Sequence, residues 1–314
     1  MLDLTKKRIV VTGGAGFLGS YVVRRLIELG VPQAHILVPR SLKHDLRRRS
    51  VCDEVVRGRD VVIHLAGVTG TPSFHRERPA DIFYNNLLMG VHLMEAARRA
   101  GVLKFVSIGS ATEYPESVPT PFREEDLWRG SVAPTHAPYS LAKKMLAVQG
   151  EAYRRQFGFN AIHLLLTNMY GPGDRLHDPY VIPALVRRLS DASARGLPFV
   201  QMSGDGRERR EFLYVEDAAR GVILATQHYD QGEPVNLGSG QDISIRELAE
   251  LVAKLLGYSG ELRWGVGSEP TQLQRLLDTR KAEAEFEFRA VTSIEEGLRR
   301  TIDWYLTVTK ASLR

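Results

Sequence analysis

Cysteine is almost absent from this sequence, which contains one, Cys52. A single thiol cannot form an internal disulfide, and it cannot supply the several thiolates of a cysteine-based metal cluster. No apolar run reaches the roughly 20 residues of a membrane helix, and the start of the chain does not have the pattern of a signal peptide. We therefore expect a cytoplasmic protein without a metal centre and without a membrane partner.

A sustained basic tract with interleaved aromatic residues is also missing, although the formal net charge is +5. The basic residues are scattered in short clusters, such as the three arginines at positions 47–49. This distribution argues against nucleic acid as a partner. The positive balance suits an anionic small molecule, and a solvated basic surface explains most of these residues equally well.

Strand-like and helix-like segments alternate through the first half of the sequence. Runs such as "KRIVVTG", "HILVPR" and "DVVIHLAG" are separated by amphipathic stretches such as "FLGSYVVRRLIELG". Strands that are apolar throughout are typical of a parallel sheet buried on both faces. The pattern predicts an α/β fold with a Rossmann-type, doubly wound parallel sheet.

The alternation changes after "NMYGPGD", where loops, helices and short strands are mixed. We predict an NADP-binding Rossmann domain over residues 1–172. The remaining residues, 173–314, are predicted to form mainly a smaller, C-terminal substrate-binding lobe, with some segments returning to the Rossmann sheet.

A glycine-rich loop, "TGGAGFLGS", follows the first predicted strand and opens a helix. Its spacing is GxxGxxG, which places glycine at positions 13, 16 and 19. Glycines in this context let the backbone turn tightly and approach a pyrophosphate at the helix N-terminus, whereas glycine elsewhere often only makes turns. The predicted contacts of this loop with a dinucleotide are Gly13, Gly16, Phe17, Leu18 and Gly19.

The end of the second predicted strand distinguishes NAD from NADP. Arg40 stands where an acidic residue would bind the adenosine ribose of NAD. A guanidinium suits a 2′-phosphate, so the sequence favours NADP(H), and a surface arginine at a strand end is the competing explanation. Asp45 and Leu46 are expected at the adenine, and the following strand ends are expected to add Leu65, Ala66, Gly67 and Ile108 to the cofactor site.

The segment "YSLAK" places Tyr139 and Lys143 one helical turn apart on one face. Alone this pair proves little, but it follows a strand that ends in Ser110, in a chain with a nucleotide loop. A nearby ammonium favours a tyrosine phenolate. We predict that Ser110 binds a substrate oxygen and that Tyr139 exchanges a proton with it during hydride transfer. An amphipathic helix with no catalytic role is the alternative.

Together, "TGGAGFLGS", Ser110 and "YSLAK" resemble the extended short-chain dehydrogenase/reductases that act on nucleotide sugars. Further segments, "PTHAPYSLAK", "TNMYGPGD", "VIPALVRR" and "REFLYVEDAA", are similar to the GDP-L-fucose synthases, which are NADPH-dependent 3,5-epimerase/4-reductases. The resemblance implies a nucleotide-diphosphate sugar as substrate and a homodimer formed through the helices that carry the YxxxK pair. It also implies a catalytic triad of Ser110, Tyr139 and Lys143.

The same resemblance assigns the other binding residues. Asn168 and Tyr170 would lie along the nicotinamide, and Asn168 would also meet the substrate. The remaining substrate contacts implied are Thr112, Tyr180, Val181, Arg188, Arg210 and Asp278, of which the two arginines would face the diphosphate.

Three positions depart from the pattern of the GDP-L-fucose synthases. Thr112 replaces the cysteine and Tyr180 the histidine that serve there as acid and base of the epimerisation, and Ser203 replaces a tryptophan. A threonine hydroxyl is too weakly acidic to move an α-proton as a thiol does, and a tyrosine does not titrate near neutrality as a histidine does. We therefore predict a 4-ketoreductase of a nucleotide-activated 4-keto(-6-deoxy) sugar that does not catalyse 3,5-epimerisation.

Three alternatives stay open: an NAD-dependent nucleotide-sugar 4-epimerase with the same triad, a full GDP-L-fucose synthase, and a non-catalytic NADP-binding protein. A 4,6-dehydratase is disfavoured, because Ala111 and Thr112 stand where dehydratases have an Asp-Glu pair. Glu113 and Tyr114 match no catalytic role and are expected to position the loop.

Overall fold

The computed structural model of the chain describes residues 1–174, 180–265 and 272–312. Its strands are Ile9–Thr12 (β1), Ile36–Leu37 (β2), Val61–His64 (β3), Lys104–Ser110 (β4), Ala161–Leu166 (β5), Asn168–Tyr170 (β6), Phe199–Gln201 (β7), Arg209–Tyr214 (β8), Val235–Leu237 (β9), Asp242–Ser244 (β10), Glu261–Arg263 (β11) and Gln274–Arg275 (β12).

Ten α-helices lie between and after these strands in the described residues. They are Phe17–Glu28 (α1), Arg49–Val56 (α2), Pro72–Glu77 (α3), Pro79–Arg99 (α4), Ala137–Phe157 (α5), Val181–Ala194 (α6), Val215–His228 (α7), Ile245–Leu256 (α8), Arg280–Phe286 (α9) and Ile294–Ser312 (α10). Within the described ranges, no helix is both long enough and apolar enough to span a bilayer.

A six-stranded parallel sheet has the order β2-β1-β3-β4-β5-β9. The direction of winding reverses at β1, because β2 lies on one side of it and β3 on the other. Flanking helices complete the arrangement, which confirms the predicted Rossmann-type, doubly wound fold. In such sheets, ligands bind outside the carboxyl ends of the strands at the reversal point.

The apolar strands are buried because helices cover both faces of this sheet. In β1, Ile9 and Val11 pack in a core with Val22 of α1, whereas Val10, between them, packs on the opposite face with Leu93 of α4. Successive side chains of a strand point to opposite faces. A strand covered on both sides therefore needs apolar residues at every position.

A second sheet begins one residue after β5 ends. Strand β6 pairs with β8, which also pairs with β10 and β12, and the helices α6, α8 and α10 supply a separate apolar core around Leu189, Leu248 and Leu298. Between β8 and β10 the chain returns to the six-stranded sheet. There α7 packs in the core shared with α1, and β9 pairs with β5. The domain boundary at residue 172 stays a prediction.

Candidate active site

A cavity of about 1350 Å³ opens at the carboxyl ends of β1, β3, β4 and β5 and is bounded on its other side by α6 and β8. It brings together most of the residues that the sequence singled out. The predicted residues that line it are Gly13, Gly16, Phe17, Leu18, Gly19, Arg40, Asp45, Leu46, Leu65, Ala66, Gly67, Ile108, Ser110, Thr112, Tyr139, Lys143, Asn168, Tyr180, Val181 and Arg210.

The glycine loop forms a close-fitting turn between β1 and α1. Gly13 has φ +69°, and a Cβ at this position would lie 2.8 Å from the backbone nitrogen of Ala66. A Cβ on Gly19 would lie 2.1 Å from the carbonyl oxygen of Gly13. Gly16 is the N-cap of α1, so the first backbone N–H groups of that helix are directed at the turn. This geometry fits the pyrophosphate of a dinucleotide.

Arg40 lines the far end of the cavity and is exposed. Nearby, the Asp45 carboxylate accepts hydrogen bonds from the backbone and side chain of Arg47, which lower the pKa of Asp45 to about 2. The side chain of Leu46 is buried, and its carbonyl accepts a hydrogen bond from Cys52 Sγ at 3.1 Å. An adenosine 2′-phosphate here would meet Arg40, with Arg47 as a second cation that the sequence prediction missed.

Tyr139 and Lys143 project from α5 into the cavity, opposite the end of β4. Burial raises the pKa of Tyr139, and the charge of Glu113 raises it further. Burial lowers the pKa of Lys143 to about 8, against the opposing effect of Glu113. The Lys143 ammonium donates to the carbonyl oxygen of Ala66 at 3.3 Å. At neutral pH, therefore, the tyrosine keeps its proton and the lysine its charge.

Ser110 is held at the end of β4 as the N-cap of the 3₁₀ helix Ala111–Glu113. Its Oγ accepts hydrogen bonds from the backbone N–H of Thr112 at 3.2 Å and from Thr112 Oγ1 at 3.1 Å. Thr112 Oγ1 in turn accepts a hydrogen bond from Ser140 Oγ at 2.9 Å. The hydroxyl groups thus form a directed chain that leaves the Ser110 hydrogen available to a ligand.

A buried carboxylate supports this turn from below. Glu113 accepts a hydrogen bond from the backbone N–H of Ser110 at 2.8 Å, and its other oxygen lies 3.1 Å from His163 Nε2. The His163 ring continues to Ser107 Oγ at 2.8 Å. A Cβ on Gly109 would lie within 2.4 Å of both the carboxylate and the imidazole, so only glycine fits below this pair.

A family profile described as the NAD dependent epimerase/dehydratase family matches residues 9–238. This chain belongs to that family. The match includes the glycine loop, Ser110, Tyr139 and Lys143, and it extends through β9, the last strand of the parallel sheet.

Full-length relatives carry more specific names within the epimerase/dehydratase family. The chain is 35% identical over 305 residues to a probable GDP-L-fucose synthase 1 of Oryza sativa subsp. japonica, covering 95% of this chain and 92% of the relative. It is 33% identical over 311 residues to a GDP-L-fucose synthase of Sinorhizobium fredii, covering 98% of each. These matches confirm the resemblance predicted from the motifs.

A solved structure is also similar over nearly the whole chain. The GDP-mannoheptose C4 reductase of Campylobacter jejuni, determined with NADP bound, is 25% identical. It superposes with a TM-score of 0.87 and covers 98% of this chain and 100% of its own.

Two of the positions that depart from the GDP-L-fucose synthases lie in the cavity. Thr112 is bound in the hydroxyl chain described above, and Tyr180 Oη donates to the carbonyl oxygen of Gly70 at 3.2 Å. Asn168 also lines the cavity, and its Nδ2 donates to the carbonyl oxygen of Glu211 at 3.1 Å, which fixes the orientation of the amide.

Three predicted contacts do not line this cavity and stay predictions. Tyr170 is buried in the core of the second lobe, because β6 carries it ~7 Å beyond Asn168. Arg188 lies two turns along α6 and donates to the carbonyl oxygen of Gln201 at 3.1 Å. The Asp278 carboxylate is neutralised by Arg280, which lowers its pKa.

The cavity lining also includes residues that were not predicted from the sequence, among them Arg275, His75 and His136. Arg275 lies directly beside Arg210, since β12 and β8 pair in parallel with these two residues in register. Burial lowers the pKa of both guanidinium groups, and the charge of Arg210 lowers that of Arg275 further. The only sequence signal was a basic residue three positions before Asp278.

Proposed function

We propose that this protein is an NADPH-dependent 4-ketoreductase of a nucleotide-activated 4-keto sugar, acting without 3,5-epimerisation. One observation carries the proposal: Ser110, Tyr139 and Lys143 share a cavity with the glycine loop, and the hydroxyl of Thr112 is engaged on both sides. The names of the GDP-L-fucose synthases and of the C4 reductase support the same chemistry.

Reduction of a ketone to an alcohol requires a hydride and a proton. NADPH, when bound at the glycine loop, supplies the hydride. Tyr139 donates the proton to the carbonyl oxygen, because its raised pKa keeps the phenol protonated until charge develops there. Lys143 stabilises the phenolate that remains, and Ser110 donates a hydrogen bond that orients the carbonyl.

Epimerisation at C3 or C5 would need a base that removes an α-proton and an acid that returns one. Thr112 Oγ1 already donates to Ser110 and accepts from Ser140. An unperturbed tyrosine titrates near pH 10, so Tyr180 is not a substitute for a base that works near neutrality. Among the residues that the structure describes, the site keeps the proposed reductase residues, and neither Thr112 nor Tyr180 supports a proton-transfer pair.

Arg210 and Arg275 are the proposed site for the substrate diphosphate. They lie side by side in the cavity, where Glu208 balances one of the two charges at 2.6 Å from Arg210 and a bound anion would balance the other. The relatives' names favour a GDP sugar.

A homodimer formed through α4 and α5 is part of the proposal. These helices expose large apolar side chains, namely Phe83, Tyr84, Leu141 and Val148. An apolar surface on two adjacent helices is typical of a helix-bundle interface. Light scattering should give twice the chain mass, and charged residues at positions 84 and 148 should convert the dimer to a monomer. We also propose a cytoplasmic location.

The decisive experiment is an NADPH oxidation assay with GDP-, dTDP-, UDP- and CDP-4-keto-6-deoxy sugars. We expect oxidation with one of them, and no oxidation by the Tyr139→Phe variant. In D₂O, deuterium at C3 or C5 of the product would contradict the absence of epimerisation. Failure of all four substrates, with NADPH still bound, would reject the reductase proposal.

Bound NAD⁺ in the purified protein, with interconversion of 4-epimers, would instead identify a 4-epimerase. Binding of NADP(H) that leaves every sugar nucleotide unchanged would identify a non-catalytic protein.

A further inference from the structure

Two histidines line the cavity and have no part in the chemistry described above. His75 lies on the short helix α3, and His136 directly precedes α5, three residues before Tyr139. The centres of the two imidazole rings are 5.5 Å apart and the rings are almost perpendicular, at 79°. The two rings form one aromatic surface beside Tyr139, the proposed proton donor.

His75 is the inner member of the pair. Its side chain is buried, and its ring meets the Tyr139 ring edge-on, with centroids 5.8 Å apart. Nε2 lies 3.4 Å from Thr69 Oγ1, and Nδ1 has no hydrogen-bond partner among the described residues. Edge-to-face contacts of this kind fix ring orientation, so His75 positions both Tyr139 and His136.

His136 is the member that faces the ligand space. It is half-buried, and its imidazole makes no hydrogen bond to any residue in the described ranges. Burial lowers the pKa of His136, and the charges of Arg275 and His75 lower it further, so the ring is neutral near pH 7. A neutral imidazole has one donor and one acceptor nitrogen, which matches the two capacities of a hydroxyl group.

The surroundings of His136 indicate which ligand group it meets. Tyr139 is one turn away in the chain, and Arg275 lines the same cavity. In the proposed reaction, the sugar carbonyl lies at Tyr139 and the diphosphate at Arg210 and Arg275. The sugar ring, which joins these two groups, then occupies the cavity that His136 also lines.

We propose that His136 is a specificity-determining residue that hydrogen-bonds a hydroxyl group of the substrate sugar, and that His75 holds it in place. This inference rests on the proposed function for the position of the sugar. It names the part of the substrate that this chain selects: a hydroxylated face of the sugar rather than the base or the diphosphate.

The test compares sugar nucleotides with the matching nucleoside diphosphates. Calorimetry with the NADP⁺-loaded protein would give the affinities for GDP-mannose, UDP-glucose, dTDP-glucose and CDP-glucose, and for the corresponding diphosphates. We then choose a sugar nucleotide that binds more tightly than its own nucleoside diphosphate. The affinities of both ligands are measured for the His136→Leu, His136→Asn and His228→Leu variants. His228 is an exposed histidine at the end of α7, away from the cavity, and is the control.

We expect His136→Leu to weaken the sugar nucleotide by about fivefold to tenfold, the size of one neutral hydrogen bond, and to leave the diphosphate unchanged. His136→Asn should restore part of the loss, because the amide also donates and accepts. His228→Leu should change neither ligand. For the positioning residue, His75→Ala should weaken the sugar nucleotide, and His75→Phe, which keeps the aromatic edge, should recover it.

Equal losses for the sugar nucleotide and the diphosphate in His136→Leu, or no loss for either, would overturn the proposal. It would also be overturned if no sugar nucleotide bound wild-type protein more tightly than its diphosphate. These binding measurements do not require the protein to convert a substrate. A protein that reduces no 4-keto sugar but still shows the His136 effect would refute the proposed function and leave this inference standing.

Discussion

Glu113 Oε1 lies 2.8 Å from the backbone nitrogen of Ser110 and accepts its hydrogen bond. The carboxylate is completely buried, and its negative charge also raises the pKa of Tyr139. One side chain thereby fixes the backbone of Ser110, the proposed substrate-binding serine, and helps to keep Tyr139, the proposed proton donor, protonated.

Replacing Glu113 with Gln should therefore move the pH dependence of the reaction. The amide keeps an oxygen acceptor for Ser110 but removes the charge that raises the pKa of both Tyr139 and Lys143, so both pKa values fall and activity is lost at a lower pH on the alkaline side. The measurement is kcat for NADPH oxidation against pH. Asp126→Asn is the matched control, because Asp126 is also a buried capping carboxylate but does not act on Tyr139. An unchanged alkaline limb in Glu113→Gln would contradict the assignment.

At pH values below the pKa of a free lysine, about 10.4, Lys143 should lower the free energy of unfolding. Its pKa is lowered to about 8 in the folded protein, compared with about 10.4 for a free lysine, so the unfolded chain binds the proton more tightly. We expect Lys143→Met to raise the free energy of unfolding by ~1–3 kcal/mol at pH 7 and to abolish activity. The difference should shrink as the pH rises from about 8 to about 10.4.

Urea unfolding at pH 7 and at high pH measures the free energies of unfolding of the wild type and of Lys143→Met. Lys144→Met provides the contrast, because Lys144 donates to the carbonyl oxygens of Glu113 and Leu127, and its loss leaves buried acceptors unpaired. That variant should be less stable than the wild type at pH 7. A Lys143→Met variant that is equally destabilised would show that the ammonium stabilises the fold.

Arg275 should bind the substrate diphosphate, whereas Arg188 should not. We expect Arg275→Ala to raise KM for the sugar nucleotide by about 10-fold to 100-fold, because charged hydrogen bonds to phosphate are lost. Arg188→Ala should leave KM within about twofold, since its guanidinium donates to the Gln201 carbonyl outside the cavity. Steady-state kinetics and calorimetry with the nucleoside diphosphate check both values. A larger increase in KM for Arg188→Ala than for Arg275→Ala would instead support the Arg188 contact that the family resemblance implies.

Arg40 should determine the preference for NADPH. In Arg40→Ala, the dissociation constant of NADPH should rise about 10-fold or more, while that of NADH stays nearly constant, because only the 2′-phosphate loses a partner. Fluorescence titration of both cofactors measures this. Arg48→Ala, an exposed arginine that does not line the cavity, is the control. An equal rise in the dissociation constants of NADPH and NADH would show that Arg40 acts on a part of the cofactor other than the 2′-phosphate.

The sequence could predict those features that depend on neighbouring residues. The glycine loop, the Tyr139–Lys143 pair and Ser110 each lie within one strand–turn–helix unit, and the doubly wound sheet follows from the alternation of such units. Long-range pairing could not be read in this way. Arg275 reaches the cavity only because β12 pairs with β8, and His75 reaches Tyr139 only because α3 folds over the end of α5.

Distance along a regular element explains why two of the predicted residues do not line the cavity. Asn168 and Tyr170 share a short strand, yet Tyr170 has already passed from the cavity into the second apolar core. Arg188 is on the same helix as Val181, but two turns lie between them. In both cases the element that carries the family motif borders the cavity, and the rise per residue then decides which side chains line it.

Cys52 is fully buried, and burial raises its pKa to about 12. Thiol reagents act on the thiolate, so the native chain presents almost no reactive sulfur to them. A cysteine introduced at an exposed position, for example at Leu42 on the rim of the cavity, would accept a fluorophore at one defined site without prior removal of the native thiol. The scarcity of cysteine thus makes ligand entry directly observable in solution.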